Sequence, residues 1–182
     1  MHIGIAHHFG WAVAVTASAA HEVVDRRRIE LVEPGIPVAP VHHDGADLDD
    51  TALADMLVTV GASAARATAA ELDALAADLP GPVVSLSLRA WPSGFPTDLA
   101  VVRRAPYEGR ADSVMYLRVL DDVARARSWA VHLFDAKDVE ARASGLLGDR
   151  AREVLHGPRA RLGPPWTKDH RIALAATVLA AG

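Results

Sequence analysis

Three short apolar runs open the chain and decide its fold: Ile3-Gly4-Ile5-Ala6, then Trp11-Ala12-Val13-Ala14-Val15-Thr16, then Val23-Val24-Asp25-Arg26-Arg27-Arg28-Ile29-Glu30-Leu31-Val32. Runs of this length, rich in β-branched residues and bounded by turn formers, read as strands. Gly10 marks the turn between the first two, and Ala19-Ala20-His21 forms the hairpin between the second and third. Connections this short favour antiparallel neighbours, so the opening is a three-strand meander. The third run alternates in part, with Arg28 and Glu30 on one face and Ile29 and Leu31 on the other.

Beyond the meander the pattern changes period. Glu33 to Asp44 carries Pro34, Pro37 and Pro40 and ends in His42-His43-Asp44, which reads as a loop crossing the surface. Asp47 to Leu79 is helical by the spacing of Leu48, Leu53, Met56, Leu57 and Val60 and of Leu72, Leu75 and Leu79, with Gly61 as a point where it divides in two. Its many alanines favour helix at little side-chain entropy cost. Pro80-Gly81-Pro82 stops it, and Val83 to Leu88 follows as the best buried-strand candidate. Ala90 to Pro106 reads as a loop, Ala111 to Ser128 as a helix and Trp129 to Phe134 as a strand. Ala136 to Leu147 and Arg150 to Leu155 then read as helices, Gly157 to Pro165 as a loop, and Lys168 to Ala181 as a last helix capped by Thr167. The order is β-β-β-α-β-α-β-α-α. Strands separated by helices lie parallel through right-handed crossovers, so the expected class is α/β, in one domain spanning residues 1–182.

With 182 residues the chain can bury a full core as one domain. A formal net charge of −4 argues against polyanion binding over the whole surface but leaves room for a local basic patch. There is no cysteine, which excludes disulfides and thiolate metal sites. No stretch approaches the roughly 20 apolar residues of a membrane span, and Ile172 to Ala181 is too short to cross. Met1 to His8 lacks the basic leader and apolar core of a signal peptide, so a cytoplasmic location is expected, with no membrane partner. The chain has no phosphate-binding Gly-rich loop of the Walker type, no Gly-x-Gly-x-x-Gly, no Gly-x-Ser-x-Gly and no His-Glu-x-x-His, which weakens the enzyme classes those motifs serve.

The order of elements resembles the ribonuclease H-like fold, and within it the Holliday-junction resolvase branch. Three local stretches carry the resemblance. Ile3-Gly4-Ile5 followed by Gly10-Trp11-Ala12-Val13 is similar to the opening hairpin of those enzymes. Arg110-Ala111-Asp112-Ser113, opening a helix before Trp129-Ala130-Val131-His132-Leu133, is similar to their central helix and next strand. Thr167-Lys168-Asp169-His170-Arg171-Ile172-Ala173-Leu174-Ala175 resembles their last helix. The resemblance implies carboxylates on the first strand, the fourth strand and the last helix holding one or two divalent metals that activate water against a phosphodiester. Here the first-strand position falls on Ala6 or His7 and the fourth-strand position around Ser87 or Arg89. Only Asp169, with His170 beside it, fits the last-helix position.

The candidate site is therefore rich in histidine. His7 and His8 fall at the carboxyl end of the first strand, an edge where α/β sheets often bind ligands. With Asp169 and His170 they are the candidate catalytic residues, and His7, Asp169 and His170 the candidate ligands of a divalent metal (manganese, zinc or magnesium). One carboxylate with imidazoles suits zinc, manganese, iron or nickel better than magnesium, which prefers oxygen. The plainer reading of His7-His8 is a turn with hydrogen-bonded histidines. His42-His43-Asp44 either folds over the same site or is a solvated loop whose Asp44, or Asp47 after it, caps the helix. Arg26 and Arg28 share a strand face and suit phosphate by guanidinium forks, or else protect an edge strand by charge. Gly163-Pro164-Pro165-Trp166 leads into Lys168, Asp169, His170 and Arg171 in one helical turn. Lys168 and Arg171 are candidate phosphate contacts at a helix start; the plainer reading is a capped surface helix stapled by Trp166. Arg89, after the buried strand, either meets an anion or pairs with Asp135 or Asp169.

Two functions from different classes fit these residues. One is a nucleic-acid- or phosphate-handling protein acting as a metal-dependent phosphodiester hydrolase with a His/Asp site. The other is a non-catalytic ribonuclease H-like binding or assembly module, favoured by the missing carboxylates. A structural partner subunit with the alanine-rich helix Asp47 to Leu79 as its interface is a third, and a homo-oligomer is a further candidate assembly.

Overall fold

The computed structural model describes residues 1–182. Its sheet contains β1 (His2–His7), β2 (Trp11–Ala17), β3 (Val23–Glu30), β4 (Ser85–Arg89) and β5 (Ala130–Phe134) in the order β3-β2-β1-β4-β5. The two hairpin contacts, β1 with β2 and β2 with β3, are antiparallel. The two contacts that follow helical crossovers, β1 with β4 and β4 with β5, are parallel. The helices are α1 (Asp50–Asp78), α2 (Leu99–Val102), α3 (Glu108–Ala126), α4 (Val139–Leu147), α5 (Ala151–His156), α6 (Pro158–Leu162) and α7 (Lys168–Ala181). The order of the main elements is the one read from the sequence.

Each face of the sheet has its own core. On one, Ile3, Ile5, Leu86 and Leu88 pack under Ala64, Leu72 and Leu75 of α1 and Tyr116, Leu117 and Leu120 of α3. On the other, Val13, Val15 and Phe134 pack under Val139 and Ala143 of α4 and the Ala173–Ala176 stretch of α7. Alternation along a strand assigns residues to these faces. Gly4 lies on the α7 side, where an added Cβ would sit 1.9 Å from the Ala173 carbonyl oxygen. Ser87, its register partner on β4, donates to the Ala176 carbonyl at 3.2 Å. The chain thus places its smallest side chains where α7 lies against the middle of the sheet.

Several boundaries differ from the sequence reading, for local reasons. Gly61 does not divide the long helix: α1 runs unbroken, and the glycine position faces open space, so its cost is the ordinary propensity loss of about 1 kcal/mol. Its N-cap is Asp49, accepting from the Ala52 amide at 2.8 Å, rather than Asp44 or Asp47. Asp44 instead accepts from the Ala39 amide and closes a wide turn over Pro40–Asp44. Two segments expected as loops contain single helical turns, α2 and α6. Asp98 caps the first, and Pro158 starts the second from a position that needs no amide donor. No helix is long and apolar enough to cross a membrane.

Candidate functional site

The carboxyl ends of β1 and β4 and the first turn of α7 meet around a cavity of about 220 Å³. Ile5, Ala6, His7, His8, Arg89, Phe134, Ala136, Asp169 and Ile172 line it. Register explains the convergence. Gly4 pairs with Ser87, so two residues further on Ala6 and Arg89 come side by side on the α7 face, under Asp169. Four of the residues expected to form a site, His7, His8, Arg89 and Asp169, share this cavity.

Asp169 is half-buried and accepts from His8, Nε2 to Oδ2 at 3.1 Å. The His8 ring is stacked on Trp11, with centroids 4.1 Å apart and planes 13° from parallel. A stacked and carboxylate-paired imidazole has little rotational freedom, so His8 is oriented with Nδ1 away from Asp169. His7 has its pKa pushed down to about 4, first by burial and then by the Arg89 and His8 charges, so it is neutral at pH 7. Arg89 is exposed at the strand end, and no salt bridge in the molecule includes it. Neither Asp135 nor Asp169 takes it as an ion-pair partner. The cavity therefore carries an unpaired guanidinium beside a neutral imidazole and a carboxylate already held by His8.

The other expected site residues are placed elsewhere. His170 is buried on the far side of Asp169. Its Nδ1 accepts from the Thr167 amide at 3.2 Å and contacts Thr167 Oγ1 at 2.9 Å, closing a capping box at the start of α7. Burial, then Arg26, holds its pKa below the usual imidazole value. His170 lines a neighbouring cavity with Arg26, Arg28 and Asp169 rather than the one that holds His7, so His7, Asp169 and His170 do not form a ligand set. No group of three His, Asp or Glu side chains anywhere in the chain could hold a metal ion. Of the carboxylate positions implied by the resemblance, Asp169 alone carries one. Ala6 offers no ligand, Ser87 is bonded to α7, and Arg89 brings positive charge to the place a cation would occupy. The donor set does not fit the family's divalent-metal centre.

The arginines of β3 are committed to structure. Arg26 donates to the carbonyls of Leu162, Gly163, Pro164 and Pro165, fastening the loop before α7 to the sheet. Its guanidinium also lies 5.9 Å from the Trp166 ring centroid. Arg28 pairs with Glu30 at 2.7 Å and lies 4.2 Å from the ring centroid of Trp11, the indole on which His8 stacks. Arg171 pairs with Glu140 of α4 at 3.2 Å. Lys168 is exposed in the first turn of α7. Trp166 donates to the Leu155 carbonyl and packs in the α7 core.

His42 and His43 do not reach the cavity. Their rings meet edge-on at 4.3 Å in the turn between β3 and α1. Asp112, buried in α3, holds that turn by accepting from the Val41 and His42 amides, each at 3.0 Å. The sequence marks Asp112 only as a helix-start residue. Its role depends on a contact 70 residues away, which no local pattern reveals.

No protein-family model matches the chain, and no curated protein matches it significantly. Among solved structures, the chain is similar to Thermus thermophilus RuvC in complex with a Holliday junction substrate. The TM-score is 0.53 and the identity 12%, over 97% of this chain and 89% of that one. A second Thermus thermophilus RuvC structure matches with a TM-score of 0.49 and 13% identity, over 97% of this chain and 90% of the other. The first of these structures shows that the chain has the ribonuclease H-like fold.

Proposed function

We propose that the chain is a non-hydrolysing module of the ribonuclease H-like fold that binds a phosphate-bearing ligand, a nucleic-acid strand, at the carboxyl end of its sheet. The observation that carries this reading is Arg89. An unpaired guanidinium lines the cavity at the strand end where the resemblance implies a metal-binding carboxylate. Guanidinium forks match phosphate oxygens and repel divalent cations. Neutral His7 adds a hydrogen-bonding group without charge, and Lys168 adds an ammonium at the start of α7, where helix amides favour anions. The net charge of −4 confines the interaction to this patch and predicts modest affinity. Metal-dependent hydrolysis, the reading that the fold's relatives suggest, finds one carboxylate here, and that carboxylate is already paired with His8.

The test is fluorescence anisotropy of labelled single-stranded, duplex and four-way-junction oligonucleotides in EDTA. Binding without metal that weakens with salt, and about tenfold further with Arg89→Ala, supports the module. Strand cleavage in manganese or magnesium that disappears with Asp169→Asn would replace it with a hydrolase.

A further inference from the structure

A third, smaller apolar cluster lies apart from the two cores of the sheet. Val41, Phe95, Ala111 and Val114 are buried in it beside α3. They do not close on one another: a cavity of about 320 Å³ opens among them, within the size range of small-molecule pockets. None of its lining residues lines the cavity at the strand end. Each wall is fastened by polar bonds. Arg103 ties the end of α2 to Asp50 of α1 and to the Leu48 carbonyl. Arg118 donates to the Phe95 carbonyl at 3.2 Å and ties the loop after β4 to α3. Asp112 fixes the Val41 turn through two amides. The cavity is therefore formed before any ligand enters, which lowers the cost of binding.

Two rows of α3 line it, each stepping by four residues: Ala111, Met115 and Val119, and Val114, Arg118 and Asp122. The lining is thus apolar toward the start of α3 and carries both signs of charge further along. Neither Arg118 nor Asp122 belongs to an ion pair, with each other or with any other residue. Arg125, three residues beyond Asp122, is already paired with Asp121 at 2.8 Å. The third charged lining residue, Asp112, is buried with each carboxylate oxygen accepting an amide, so it is engaged by the fold.

We propose that this cavity binds a free α-amino acid with a large apolar side chain, such as leucine or phenylalanine. The side chain fills the space beside Phe95, Val114 and Met115. The carboxylate meets the guanidinium of Arg118, whose fork suits it, and the ammonium meets Asp122. Residues four apart on a helix have Cβ atoms about 5–6 Å apart, a spacing that a head group with both charges on one carbon can bridge. An apolar acid would bring its carboxylate beside Asp122 unanswered, and an apolar amine would bring its ammonium beside Arg118. The zwitterion answers both charges. This site does not depend on the oligonucleotide reading of the strand end.

Isothermal titration calorimetry of the protein with L-phenylalanine and L-leucine tests this, with phenylpropionate and phenethylamine as probes that each lack one charge. The expected result is single-site binding of the amino acids with Kd below about 1 mM, and roughly tenfold weaker binding of either single-charge probe. Asp122→Asn, at an exposed position with no ion pair to lose, should weaken phenylalanine about tenfold without weakening phenylpropionate. Arg118→Gln should weaken both, and Arg89→Ala neither. No binding of either amino acid at about 10 mM overturns the proposal. So does phenylpropionate or phenethylamine binding as tightly as phenylalanine, or phenylalanine binding that ignores Asp122→Asn. Loss of phenylalanine binding in Arg89→Ala would place the ligand at the strand end and overturn it as well.

Discussion

Two arginine-bearing regions are both phosphate candidates in the sequence and differ in what the fold does with them. On β3, Arg26, Arg27 and Arg28 are all engaged: Arg26 by four loop carbonyls, Arg27 by Asp25 and Asp78, Arg28 by Glu30 and Trp11. At the end of β4, Arg89 has no ion-pair partner and lines a cavity with His7, His8 and Asp169. A cation is open to a ligand only when structure has not already engaged it. Density of basic residues marks the first region, yet availability marks the second.

Substitutions can break this contrast. The largest effect is expected for Arg26→Ala, which releases four carbonyls and the loop leading into α7. Stability in urea should fall by about 3 kcal/mol, as for loss of charge-assisted bonds, with oligonucleotide affinity of the folded protein within about twofold of wild type. A larger loss of affinity than of stability would make β3 part of the binding surface.

The next effect concerns pH. His7 has a folded pKa of about 4 against an ordinary value of 6.5. The unfolded chain therefore binds this proton more readily, and stability falls as pH drops from about 6.5 toward 4, then levels off. The full difference corresponds to about 3 kcal/mol, reduced to about 2 by partial solvent access. His2, His21 and His170 are shifted the same way, each chiefly by burial, and contribute to the same limb. His7→Gln should flatten that part of the curve in denaturant titrations at stepped pH. An unchanged acid limb would show that His7 titrates as an exposed group.

Arg89→Ala sharpens the contrast from the other side. Stability should change by less than about 0.5 kcal/mol, since no partner is left behind, while oligonucleotide affinity drops about tenfold. Arg28→Ala is expected to do least, because its pair with Glu30 and its stacking on Trp11 are open to solvent, with binding retained. Thermal melts and anisotropy on the same samples separate the two outcomes.

The elements that the sequence made legible are those set by local period. The meander from Ile3 to Glu30, the strands at Ser85–Arg89 and Ala130–Phe134, and α7 after its Thr167 cap all follow from alternation, helical spacing and punctuation. The single turns α2 and α6 do not, because four or five residues carry no period. The meeting of His7, His8, Arg89 and Asp169 could be suspected from the resemblance, which aligns the ends of β1 and β4 with the start of α7. The disposition of His170 could not. Its spacing to Thr167 is that of a capping box, but a buried histidine in that role reads locally like a ligand. Arg26 is similar: its acceptors lie about 137 residues away in a proline loop, and only the folded chain brings them together.

The central claim is that the end of the sheet forms an anion site and not a cation site, and manganese titration calorimetry tests it most directly. Wild type should show no saturable binding of Mn²⁺ at millimolar concentration, and the double variant Ala6→Asp, Arg89→Asp, which with Asp169 places three neighbouring carboxylates there, should gain it. Stoichiometric Mn²⁺ binding by wild type that is lost in Asp169→Asn would contradict the account and return the site to metal chemistry.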